Sequence, residues 1–318
     1  MITRTFLYLD DRLLRPASPQ LFFVIRTALA AVMGLRLATR DWVKIAERPE
    51  ELTANLTVMS FLPADAVTPA LVTTVHLAGL IGAGMVLARW RPHTGFVLAW
   101  VAYLVLTALW GSSGKVMHND VLTVLVGFVF LFTAPPSRNG PTDSHAQWGW
   151  PPRAALALIG VVYFFTGFQK LRVSGLEWVF SDNMQWVLLQ GVSPFGPWLT
   201  ELVAKQLWLT QALAGGALSL EILALVLLFF RWARGLFVLS VAIMHTSIWV
   251  FLGLDYSAWV LTVAAVAVPS CLPVRRWLTS VADRQRRVIF EQFRPKMQHY
   301  VYQADQDRYL DQGANRSS

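Results

Sequence analysis

The stretch WLTQALAGGALSLEILALVLLFF, residues 208–230, decides the fold class, and Glu221 is its only ionisable group. At about 1.5 Å of rise per residue, such a run crosses the ~30 Å hydrocarbon core of a bilayer as one helix. Similar apolar windows recur at 20–38, 69–89, 94–110, 119–134, 154–170, 235–254 and 256–274. The reading is all-α: a polytopic membrane bundle of about eight helices, with residues 1–274 as the transmembrane domain.

Composition agrees. The 318 residues are 55% hydrophobic and 14% charged, against about 25% charged in ordinary soluble proteins. The mean hydropathy is +0.47. Such a chain has too few charges to cover a soluble fold. Pro63, Pro69, Pro92, Pro135, Pro136, Pro151 and Pro152 fall between the windows, where a ring without an N–H breaks no internal helical bond. The first apolar run follows Arg4, Arg12 and Arg15 but contains Arg26 and Arg36 where a cleavage site would lie, so it reads as a retained helix rather than a signal peptide.

Threading the spans puts the larger share of Lys and Arg on the side that holds both termini. The positive-inside rule then sets the termini in the cytoplasm, as in a bacterial inner membrane, and the opposite loops outside. The segment from Arg172 to Gln206 is too polar to span, yet carries Trp178, Trp186 and Trp198, as expected of an external interfacial or re-entrant element. Residues 275–318 form a cytoplasmic extension: a basic amphipathic helix suited to the anionic inner leaflet, then a polar tail. The net charge of +8 sits at membrane edges, and no nucleic-acid-binding module accompanies it, so nucleic acid is not an expected partner. Membrane lipids are.

Ionisable groups within spans cost several kcal/mol unless paired or facing a cavity, and this makes them functional candidates. On the expected outer side lie His76, then His118, Asn119 and Asp120 at the start of the fourth window, Lys170 at the end of the fifth, and Asp182, Asn183 and Asp255. Glu221 and His245 sit in mid-span. A shared outward-opening pocket would account for all of them. For His76 and His245 the plainer reading is a bond to a neighbouring backbone or hydroxyl group. A lone Glu221 among leucines must be protonated or paired, and a structural bond to another helix stays as open as a catalytic task. Lys170 either snorkels outward or, if buried, becomes a neutral amine able to take a proton.

The histidines follow no zinc spacing, so no metal is expected. Cys271 is the single cysteine, which excludes an intramolecular disulfide. No Walker loop, dinucleotide-binding turn or nucleophile elbow is present.

Two stretches go further: KVMHNDVLTVLVGFVFLFTAP at 115–135 and VVYFFTGFQKLRVSGLEWVFSDNMQWVLLQ at 161–190. They resemble the HTTM and vitamin K-dependent gamma-carboxylase family, in which a histidine opens one helix and a YFxxGxxKL segment followed by Trp supplies a lysine base. The matching positions here are His118 and Lys170, with Tyr163 opening the second motif and Trp178 following it. The resemblance covers roughly residues 20–270, including MHTSIWVFLGL at 244–254.

It implies oxygen-dependent chemistry on a reduced quinone. A neutral Lys170 would remove a phenolic proton, O2 would add to the ring, and an epoxide would form. His118 would orient the substrate or stabilise the developing oxyanion, and Asp120, Asn119, Trp178, Asp182, Glu221, His245, His76 and Tyr163 would line the pocket. The carboxylase uses the resulting base to add CO2 to glutamate and carries a large soluble domain to hold that substrate. No comparable stretch follows the last apolar window here, so CO2 remains an open co-substrate and protein carboxylation is not expected. The rival readings are a non-catalytic membrane carrier for lipid or quinone, and a structural subunit of a membrane complex.

Overall fold

The computed structural model describes residues 14–53, 59, 61–112, 118–134 and 144–271. Its regular elements are helices: α1 Pro19–Thr39, α2 Pro69–Leu87, α3 Pro92–Gly111, α4 Val121–Val129, α5 Ala146–Ser174, α6 Glu177–Phe180, α7 Asn183–Gln190, α8 Pro197–Ala204, α9 Leu207–Phe229, α10 Arg234–Leu252 and α11 Ser257–Cys271. Among the described residues, six of these (α1, α2, α3, α5, α9 and α10) are long and apolar enough to cross a membrane. The other two apolar windows hold shorter helices, α11 and α4, the latter prolonged by a 3-10 turn at Phe130–Phe132. Each expected window therefore contains a helix, and among the described residues six reach full spanning length.

Local sequence sets the boundaries. Proline occupies the first turn of α1, α2, α3 and α8, where its missing N–H has no helical partner to lose. Thr68 caps α2 by accepting from the Leu71 N–H at 3.2 Å. Gly175 after α5 and Gly253 after α10 take positive φ, 58° and 68°, and end those helices. One expectation fails: Pro151 and Pro152 lie inside α5, not between spans. The helix starts at Ala146, eight residues before the apolar window, and omits only the bonds those two prolines would have made to the preceding turn.

The main core draws on α1–α5 and α9–α11, with Phe22, Met33, Tyr103, Val126, Tyr163 and Val263 almost wholly enclosed. Large apolar side chains such as Leu77, Ile81, Phe165, Leu223, Leu239 and Ile243 remain more than a third exposed, the surface expected of helices solvated by lipid. Two helix pairs pack with unusual closeness. A Cβ on Gly82 of α2 would stand 2.6 Å from the Ala99 nitrogen of α3. On α5, a Cβ on Gly160 would meet Leu225 at 2.9 Å, and one on Gly167 would meet the Glu221 Cβ at 2.8 Å. Small residues that let helix backbones approach are a usual device of membrane bundles, and here they bring α9 against the end of α5.

Where the sequence suggested an interfacial or re-entrant element, the chain forms three short helices, α6, α7 and α8, between α5 and α9. They pack mainly on one another and on α9. The basic amphipathic segment and tail expected at 275–318 lie outside the described residues.

Candidate functional site

Lys170 stands in the last turns of α5, and its ammonium points into the bundle. Nζ donates to both carboxylate oxygens of Glu221 on α9, at 2.6 and 2.7 Å. The Glu221 side chain is 6% exposed and that of Lys170 24%. The Trp178 ring of α6 covers the amine, its centroid 5.2 Å from Nζ. Trp178 therefore reaches the lysine because Gly175 ends α5 and turns the chain back.

Next to this pair lies an aromatic and imidazole group. Tyr163, two turns before Lys170 on the same helix, shares a 2.9 Å hydrogen bond between its hydroxyl and His245 Nε2. His245 stacks near Tyr256 and Trp259, with ring centroids 5.0 and 5.9 Å away. Trp259 also packs edge-on against Tyr163 at 5.6 Å. Lys170 and His245 are close enough to act on each other electrostatically, as are Glu221 and Tyr163.

Among the described residues, His245 Nδ1, Trp178 Nε1 and Asn183 Nδ2 are buried polar atoms without a protein hydrogen-bond partner. Buried polar groups are nearly always satisfied. Of the three, Trp178 Nε1 and His245 Nδ1 belong to side chains beside the lysine–carboxylate pair, and each could bond a polar ligand group or water.

His118 joins the group at one remove. Exposed itself, it shares a 2.9 Å bond between Nε2 and the Tyr256 hydroxyl, and its carbonyl accepts from Trp259 Nε1 at 3.1 Å. The Tyr256 hydroxyl can donate to His118 Nε2 in this contact.

Asp120 and Asn119 belong to a second cluster. Asp120 accepts from Arg36 Nε at 3.1 Å, Arg40 at 2.7 Å and the Tyr103 hydroxyl at 2.6 Å. Arg36 extends to Asp255 at 2.5 Å and Ser257 at 3.0 Å. Asn119 donates to the Asp255 carbonyl at 2.8 Å. This network ties α1, α3 and the start of α4 to the start of α11. It positions His118 and Tyr256, which flank it in sequence, rather than facing Lys170.

His76 and Asp182 find partners outside both clusters, His76 between α2 and α1 and Asp182 within its own turn. His76 Nε2 donates to the Leu37 carbonyl at 2.8 Å, and Asp182, preceding α7, accepts from the Trp186 indole at 2.9 Å. The expected single pocket thus resolves into a Lys170–Glu221–Trp178–Tyr163–His245 group and an Arg36–Asp120–Asp255 network, bridged by His118, Tyr256 and Trp259. Sequence reasoning missed Tyr103, Tyr256, Trp259 and the pairing role of Arg36 and Arg40. A signal for the arginines was present: two cations four residues apart near the end of an apolar helix. Among the described residues, no three His, Cys, Asp or Glu side chains converge to hold a metal ion.

In comparisons with known proteins, no family model, no curated protein and no solved structure matches this chain. The family resemblance therefore rests on the two motif stretches around His118 and Lys170.

Proposed function

We propose that this chain is an integral membrane enzyme that oxidises a quinol-like phenol with O2, its Lys170–Glu221 pair taking the phenolic proton. The observation that carries the reading is the paired amine beside two unpartnered buried polar atoms, Trp178 Nε1 and His245 Nδ1. In a site of low dielectric, a lysine–carboxylate pair has a neutral form, amine plus carboxylic acid, that competes with the ion pair because two charges need not be desolvated. Glu221 then stores the proton that Lys170 would otherwise carry. When a phenol enters, its O–H bond breaks, an N–H bond forms on Lys170, and the phenolate replaces Glu221 as counter-ion of the ammonium.

If Nε2–H of His245 donates to Tyr163, Nδ1 is left as an acceptor for a second hydroxyl of the substrate, while Trp178 offers an N–H. Both would fix the ring before oxygen adds. Overall, quinol and O2 give quinone epoxide and water. In this reading both termini are cytoplasmic and the site opens toward the outer face. Lys170 and Arg153 lie on one helix roughly 25 Å apart along its axis, so the basic end and the candidate site occupy opposite membrane edges.

A second reading, a non-catalytic lipid or quinone carrier, is favoured by the same two-oxygen clamp, since a lysine held as a permanent cation needs nothing more than its counter-ion. The deciding experiment incubates purified protein anaerobically with reduced naphthoquinones and then admits O2. Epoxide formed by the parent and lost in Lys170→Ala and Lys170→Arg is the expected result. Equal yields in parent and Lys170→Ala would overturn the enzyme reading, and quinone binding that survives in Lys170→Arg without epoxide formation by the parent would establish the carrier.

A further inference from the structure

Where α1 ends beside the start of α11, a cavity of about 520 Å³ opens, within the range of roughly 300–1,000 Å³ that small-ligand sites occupy. Arg36, Arg40, Lys44, Asp41 and Asp255 line it. With the buried Asp120 counted, charge is balanced there: Arg36 pairs with Asp120 and Asp255, Arg40 with Asp120, and Lys44 with Asp41. Hydrogen-bonding capacity is not balanced. Arg36 Nη2 is buried without a protein partner. Of the five N–H donors on a guanidinium, Arg40 gives one to a protein acceptor, Asp120, and its plane lies 5.0 and 4.8 Å from the ring centroids of Trp42 and Trp110. The Lys44–Asp41 pair is loose, 3.6 Å apart with side chains 64% and 59% exposed. Asp41 precedes the 3-10 turn Trp42–Ile45 without capping it, so among the described residues its carboxylate is committed to Lys44 alone.

A net anion or a net cation entering this cavity would leave one charge unmatched. A ligand with an acceptor-rich anion and an N–H-bearing cation keeps the balance and uses the spare donors. An exposed ion pair contributes at most about 1 kcal/mol, so Lys44 and Asp41 exchange each other for ligand groups at small cost. We infer that this cavity binds one zwitterionic aminophospholipid from the adjacent leaflet, its phosphodiester held by Arg40 and Lys44, its primary ammonium by Asp41 and Asp255, and an acyl chain lying over Leu35 and Leu261. The guanidinium fork suits phosphate oxygens. A primary ammonium offers three N–H donors to carboxylates; a quaternary one offers none and seeks aromatic faces, and the Trp110 ring that lines the cavity already holds Arg40. Leu35 and Leu261 make the cavity's apolar side, and Leu35 is 49% exposed on α1, which favours a lipid over a free phosphoethanolamine with the same headgroup. The site is independent of the chemistry proposed for Lys170.

Native mass spectrometry of the full chain in uncharged detergent tests this, with phosphatidylethanolamine, phosphatidylcholine and phosphatidylglycerol of one chain length added in turn. One phosphatidylethanolamine should be retained, and the other two about fivefold more weakly, the scale of one exposed charge contact. Asp41→Asn and Lys44→Gln alter only the loose exposed pair and should each weaken retention by about threefold to fivefold; Asp41→Asn should also narrow the preference over phosphatidylcholine. Leu35→Trp fills the apolar side with every charge intact and should release the lipid as well. Millimolar free phosphoethanolamine should compete poorly. Retention of either other lipid equal to or above that of phosphatidylethanolamine, parent-like retention in both charge variants, or full displacement by free phosphoethanolamine would each overturn the assignment. If a charge variant fails to fold, Leu35→Trp decides: a parent-like result there rejects the cavity as the lipid's seat.

Discussion

Gly167 stands opposite Glu221 so closely that a Cβ on the glycine would lie 2.8 Å from the Glu221 Cβ, and this approach is what lets Lys170 reach both carboxylate oxygens. Gly167→Ala should force α5 and α9 apart, costing about 1–3 kcal/mol as overpacking does, and lengthen the Lys170–Glu221 contact. Gly216 on α9 has nothing within 4 Å of its would-be Cβ, so Gly216→Ala should leave stability unchanged or raise it by about 0.5–1 kcal/mol. Thermal unfolding of both variants in detergent checks this. A Gly167→Ala protein as stable as Gly216→Ala would mean the helices do not meet there.

Asp120 carries the second network. Its side chain and that of Arg36 are 7% and 6% exposed, and removing one member of a buried pair leaves the other uncompensated. Asp120→Ala should destabilise by about 3–5 kcal/mol, enough to reduce folded yield sharply. Arg36→Met combined with Asp120→Leu should cost clearly less than the sum of the single changes, because the two residues share one interaction. Strict additivity in that cycle would show the pair to be uncoupled.

Asp255 supplies a pH dependence. Burial alone would raise its carboxyl, but the Ser257 hydroxyl and backbone N–H and the Arg36 guanidinium outweigh it and hold the group below the ordinary carboxylate range. A depressed folded value stabilises the protein above the unfolded value, near 3.9 for Asp, and that contribution is lost as pH falls through the folded value. The melting temperature should therefore drop below about pH 4, and Asp255→Asn should be less stable than the parent at neutral pH while losing part of the acid-side slope. An identical pH profile in parent and variant would assign the acid transition to other groups.

The helical architecture could be read from apolar run length alone, because a bilayer leaves the backbone no alternative to internal hydrogen bonding. The start of α5 could not, since Ala146–Pro152 carries Gly149 and two prolines and its helical state depends on packing, with Trp148 lodged against Phe22. For the site, titratable residues in spans pointed to Lys170, Glu221, His245 and Asp120. Pairing was not legible. Glu221 could be bonded to any helix until Gly167 and Gly160 fixed α9 on α5, and Asp120 and Lys170 looked like neighbours until Arg36, Arg40 and Tyr103 claimed Asp120. Tyr256 and Trp259 carry no charge to draw the eye, yet they are the rings through which His118 reaches His245.

That link makes a last prediction. Tyr256 joins His118 at 2.9 Å and lies over His245 with ring centroids 5.0 Å apart, so in the proposed enzyme His118 would act on the Lys170 group through Tyr256, as a positioning residue. Tyr256→Phe keeps the ring and removes the hydroxyl; because His118 is exposed to solvent, stability should change by no more than about 1 kcal/mol. If the hydroxyl orients the site, epoxide turnover should fall by up to about 100-fold, the scale on which small misplacements act. His118→Ala should give a similar loss, and the double variant no further one, since both remove the same contact. Turnover that is unchanged in Tyr256→Phe but lost in His118→Ala would instead place His118 directly on the substrate, and full activity in all three would leave the bridge a purely structural feature of the α4–α11 contact.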